Sequence, residues 1–77
     1  MTPDQRLAEL APFVGMLARE RSSSAGRPDL YDDLRQEGMI SAWTVLQKRP
    51  DAPREYLIAT VKNGVANLVR GLSLIHI

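Results

Sequence analysis

The chain has no cysteine and only four aromatic residues, Phe13, Tyr31, Trp43 and Tyr56, among its 77 residues. The first absence excludes a disulfide framework and thiolate metal sites, and fits a reducing cytoplasm. The second means that any core must be assembled mainly from Leu, Val, Ile and Ala. Long apolar runs are missing too: none approaches the roughly 20 residues that a membrane-spanning helix needs. The start, MTPDQRLAEL, carries neither the basic segment nor the apolar stretch of a secretory signal. A cytoplasmic protein with no membrane partner is the expectation. Histidine is almost absent, and His76, second from the end, has no companion at metal-ligand spacing. Without a placed histidine no Ser–His–Asp set can be built, and the glycines do not form a phosphate-binding pattern. Asp32, Asp33 and Glu37 could be drawn as an acidic metal cluster, but a charge bias at a helix N-terminus explains them more simply. No catalytic residue, metal or cofactor is expected, and an enzyme is not.

What is present suits one small globular domain. The hydrophobic fraction is 44% and the charged fraction 25%, which argues against disorder. A net charge of +1 hides an asymmetry: residues 29–37 carry a local balance of −3, and residues 54–71 one of +2. An ordinary solvated surface accounts for that split, yet it also suits two partners of different character.

Hydrophobic periodicity reads as three helices and no strand. The first opens on TPDQ, with Thr2 as N-cap, Pro3 at the first helical position and Gln5 completing a capping box. Leu7, Leu10, Val14 and Leu17, with Ala11 and Ala18 beside them, form its core stripe. Pro12 removes an internal hydrogen bond and crowds the preceding turn, so a kink or break is expected there. SSSAGRP (residues 22–28) reads as a loop. The second helix is expected to begin with Asp29 as N-cap and to bury Leu30, Leu34, Gly38, Ala42, Val45 and Leu46. KRPDAP turns the chain, and the third helix should run from about Pro53 to about Arg70. Its apolar side holds Leu57, Val61, Val65 and Leu68, supported by Ile58 and Val69, with Gly64 within that side. Glycine there costs roughly 1 kcal/mol relative to Ala unless it permits close packing. The predicted fold is all-α, a compact three-helix assembly.

Two polar stripes carry the functional reading. Asp33, Gln36, Glu37 and Ile40 follow i, i+3, i+4, i+7 spacing along one edge of helix two, near Trp43. An apolar centre bordered by acceptors has the composition of a small interface, although a solvated face with one exposed Ile is ordinary. The outer side of helix three gathers Tyr56, Ala59, Thr60, Asn63, Ala66, Asn67 and Arg70, flanked by Lys62. Amides can bond base edges, tyrosine can stack on a base, and Lys or Arg can reach phosphate. A neutral amphipathic surface fits the same residues.

The segment DLRQEGMISAWTVLQKRPDAPREYLIATVKNGVANLVRG (residues 33–71) resembles region 2 of bacterial RNA polymerase sigma factors. Within it, DLxQEGxIxxW looks like the part of that family that docks on the clamp helices of the beta-prime subunit. PREYLIATVKNGVANLVRG and ELAPFVGMLARER (residues 9–21) are similar to the extracytoplasmic-function branch. The resemblance implies a polymerase-binding edge of Asp33, Gln36, Glu37 and Ile40, with Leu34 as a buried anchor. It implies a surface facing the promoter's minus-ten element made of Tyr56, Lys62, Asn63, Asn67 and Arg70. Its implied partners are the RNA polymerase core, promoter DNA and an anti-sigma factor, inside a bacterial cell or through a bacterial virus acting in one. The expected function is therefore promoter recognition in transcription initiation. The alternative is a small helical interaction module that binds polymerase or another partner without reading DNA.

The chain departs from the family pattern at Met39, Gly64 and Gly71, and helix three lacks the dense aromatic set of primary sigma factors. It contains no counterpart of the second, helix-turn-helix domain. The last six residues, LSLIHI, are the translation of CTGTCTCTTATACACATC, which looks like a transposon end used in preparing sequencing libraries. The expected organisation is a region 2-like domain over residues 1–71 of a truncated chain, with a non-native tail at 72–77 that does not continue the third helix.

Overall fold

The computed structural model describes residues 2–75, with side chains as far as Gly71. Three helices follow one another: α1 (Pro3–Ser24), α2 (Tyr31–Lys48) and α3 (Arg54–Ile75), with a 3-10 turn at Pro28–Leu30 before α2. The fold is all-α, as its periodicity predicts, and among the described residues there is no strand. α2 is the middle member and packs extensively on both neighbours, whereas α1 and α3 touch each other much less.

The start of α1 is set by the reciprocal cap that its sequence announces. The Gln5 N–H donates to the Thr2 hydroxyl at 3.2 Å, and the Thr2 N–H donates to Gln5 Oε1 at 3.0 Å. Two of the donors that a helix start leaves unsatisfied are thereby paired. The expected break at Pro12 does not occur; α1 is one helix of 22 residues with Pro12 inside it. Pro12 is exposed, and so is Ala8, whose carbonyl loses its helical donor. Water can satisfy that carbonyl, which spares the helix a break. The predicted loop also starts too early. Ser22 is buried within α1, and its hydroxyl donates to the Arg19 carbonyl at 3.1 Å, so the last turn buries the serine without leaving it unsatisfied.

Asp29 is not the N-cap of α2. That position falls to Leu30, with no side-chain cap, and Asp29 instead accepts from Arg27 Nε at 3.2 Å and Nη2 at 3.1 Å. A two-pronged charge-assisted pair outcompetes a single capping bond. Asp32 and Asp33 do occupy the first turn of α2, where carboxylates oppose the helix dipole favourably. α3 likewise runs past its expected end: it continues through Ile75, so residues 72–75 do extend the helix, while the remainder of the expected tail, His76 and Ile77, lies outside the described residues.

The core is most of the predicted aliphatic set, with Leu7, Ala11, Val45, Ile58, Leu68 and Val69 only half-buried at its edge. Leu10, Val14, Leu17, Ala18, Leu30, Leu34, Ala42, Leu46, Leu57, Val61 and Val65 are buried, joined by Ala52 from the α2–α3 turn. Two glycines let the helices meet closely. A Cβ at Gly38 would stand 2.8 Å from a Val14 methyl and 3.2 Å from a Val61 methyl, so all three helices converge on a position without a side chain. A Cβ at Gly64 would overlap the Ser41 hydroxyl, which makes this glycine the close approach of α3 to α2. Arg6 of α1 closes the far side by donating to the Pro50 carbonyl at 2.7 Å.

Candidate functional site

A helix that spends one face on the core presents the residues half a turn away to solvent, and two such faces carry the predicted site residues. On α2 the buried row Leu34–Gly38–Ala42–Leu46 turns Asp33, Gln36 and Ile40 outward, all exposed, with Glu37 half-buried at the α3 side. Ile40 and Trp43 are each 48% exposed, a high value for side chains of this size. They stand one turn apart and form the apolar part of that edge, with the two carboxylates and the Gln36 amide on the N-terminal side of it. No side chain of Asp33, Gln36 or Glu37 makes a hydrogen bond or ion pair within the described residues; the one ion pair there is Arg27–Asp29. The edge is structurally idle.

On α3 the buried row Leu57–Val61–Val65 turns Tyr56, Asn63, Asn67 and Arg70 to the opposite side, with Lys62 on its flank. All five are exposed. Tyr56 and Arg70 are 14 positions apart, so the row covers about 21 Å of helix. Arg70 Nη2 donates to Asn67 Oδ1 at 2.6 Å, which holds the guanidinium along the helix and leaves the Asn67 amide N–H groups outward. Thr60, placed on the polar side by periodicity, turns its hydroxyl back to the Tyr56 carbonyl at 2.9 Å. Its one O–H is spent there, which leaves the hydroxyl able only to accept.

One contributor was missed by reading the two stripes separately. Arg49, just past the end of α2, sets its guanidinium 5.7 Å from the centre of the Tyr56 ring. A cation over an aromatic face at that range is attractive. Thr44, Val45, Lys48, Arg49 and Tyr56 enclose a small cleft of about 180 Å³ between the end of α2 and the start of α3. From the sequence Lys48 and Arg49 belong only to the KRPDAP turn, and folding them back onto Tyr56 has no periodic signature.

Among the described residues no group of three or more His, Cys, Asp or Glu side chains could hold a metal, and no helix is long and apolar enough to cross a membrane. His76 lies outside the described residues. No family model, no curated protein and no solved structure matches the chain.

Proposed function

We propose that the chain is a sigma-factor region 2 domain that docks on the RNA polymerase core and contacts the minus-ten promoter element. The observation that carries this reading is that both stripes the resemblance implies lie outside the core and make no ion pair within it, with only Glu37 half-buried toward α3, on adjacent helices that approach closely. Asp33, Gln36 and Glu37 supply acceptors on the N-terminal side of Ile40 and Trp43, a composition suited to a basic, partly apolar protein surface. Tyr56 has one ring face under Arg49, so an unstacked base would take the other. Asn63 and Asn67 offer amides to base edges, while Lys62, Arg70 and Arg49 meet phosphates. With a net charge of +1 the domain has little nonspecific attraction for DNA, and polymerase supplies both orientation and most of the affinity.

The test separates the two edges. In a reconstituted polymerase complex, Gln36→Ala with Glu37→Ala should abolish co-purification with core enzyme. Asn63→Ala with Arg70→Ala should keep co-purification and weaken binding of the minus-ten single strand. If the second pair leaves strand binding and transcription unchanged, the domain is an interaction module that does not read DNA.

A further inference from the structure

A third surface lies between α1 and α2, away from both edges, and it does not depend on the reading above. It is an open cleft of about 410 Å³, within the size range of small ligand sites. Its apolar lining is Ala11, Pro12, Gly15 and Met16, of which Met16 is 60% exposed. Its polar lining is Arg19, Tyr31 and Arg35. The phenol of Tyr31 leans over α1, with its oxygen 3.3 Å from where a Cβ on Gly15 would stand. Arg19 lies across the ring of the same tyrosine, 5.7 Å from its centre, which orients the guanidinium at the cleft mouth. Arg35 follows Tyr31 by one helical turn on the same side of α2.

The charges in this lining have no counterpart in the chain. Neither Arg19 nor Arg35 pairs with a carboxylate among the described residues, and the Tyr31 hydroxyl makes no hydrogen bond there. Two guanidiniums and a phenol therefore line one cleft together with the apolar Ala11, Pro12, Gly15 and Met16. The complement is an acceptor anion attached to an apolar group. A nucleic-acid backbone fits poorly: it would leave Met16 and Pro12 uncovered, and its repeated charges would meet exposed Asp32 and Asp33 in the first turn of α2. A single carboxylate beside a large aliphatic or aromatic side chain satisfies both parts.

We infer that the α1–α2 cleft docks an acidic peptide segment of a partner protein, its carboxylate held by Arg19, Arg35 and the Tyr31 hydroxyl and its neighbouring apolar side chain seated on Pro12 and Met16. Guanidinium–carboxylate bonds are the stronger, charge-assisted kind, and the apolar seat excludes water from one side of them.

The test uses the whole 77-residue chain and a fluorescein-labelled, C-terminally amidated hexapeptide with one glutamate between two leucines and otherwise serine and glycine. Polarisation should show saturable binding, with backbone amide shifts at Gly15 and Tyr31. Arg19→Ala with Arg35→Ala should weaken it by at least about fivefold, while Arg21→Ala, an exposed arginine outside the cleft, should not. Circular dichroism of each variant checks that the helices persist. Met16→Ser, which keeps both arginines, should weaken binding independently. The inference fails if the same peptide with glutamine in place of its glutamate binds equally well, if the double variant binds like the parent, or if the same residues respond to a single-stranded oligonucleotide and not to the acidic peptide.

Discussion

The outward edges of α2 and α3 are equally excluded from the core, yet they are made of opposite materials. α2 shows two large apolar side chains, Ile40 and Trp43, with acceptors on their N-terminal side. α3 shows no large aliphatic on its outer row; it offers amides, one phenol and cations, with small alanines between them. Apolar area beside polar groups suits a protein surface that can be desolvated, whereas separated donors suit a ligand that stays wet. On the proposed function, the two partners would therefore not compete for one helix.

The largest effects should come from the inner faces that hold these edges in place. Leu34→Ala and Leu57→Ala, each removing a fully buried side chain, should lose about 2–5 kcal/mol and unfold so small a domain, read by denaturant titration. Such variants break both edges at once and so cannot distinguish them. Next come the two close approaches. Gly38→Ala should lose about 1–3 kcal/mol, because stiff valine methyls from α1 and α3 block the new Cβ. Gly64→Ala should change stability far less: the Ser41 hydroxyl can rotate away, and the helix propensity gained is worth about 1 kcal/mol. If the two substitutions cost the same, the Ser41 side chain yields no more readily than the valine methyls around Gly38.

Changes on the edges themselves should sharpen the contrast. Ile40→Ser and Trp43→Ser should leave thermal stability within about 0.5 kcal/mol of the parent while reducing polymerase retention on a column. Lys62→Ala should leave retention intact and flatten the salt dependence of strand binding by about 0.7 in the log–log slope. Equal loss of both readouts from either variant would merge the two edges into one.

The smallest effect should come from the Arg27–Asp29 pair. The hydrogen bond from Arg27 holds the Asp29 carboxyl below its ordinary value. Because the folded value is the lower one, its contribution is present above the ordinary carboxylate range and is lost as pH falls through the depressed value. The pair is exposed, so Asp29→Asn should barely alter the melting temperature at neutral pH, and should remove only a shallow part of the acid-side slope.

The inner faces of this fold could be read from spacing because burial imposes a period that neighbouring residues share. Leu34, Gly38, Ala42 and Leu46 recur every four positions, and so do Leu57, Val61 and Val65. The termini followed no such rule. Pro12 was expected to break α1, but its local cost falls on a carbonyl open to water, and the tertiary packing of Leu10 and Val14 on either side holds the helix together. Asp29 had the chemistry of a cap and was drawn off by an arginine two residues earlier. Outwardness of the site residues could be inferred from the same periodicity. The Arg49–Tyr56 and Arg19–Tyr31 stacks could not, since each joins segments whose relation is fixed only by how the chain turns.

The convergence of all three helices on Gly38 has a mechanical consequence. With no side chain to act as a compressible spacer, α2 sits wedged between two neighbours whose methyls already touch its backbone region. A pull applied at Ile40 or Trp43 is therefore transmitted to α3 with little slack, so a partner that grips one rod also steers the other. On the proposed function the domain would behave as a splint, carrying Tyr56 and Arg70 along with the edge anchored on α2.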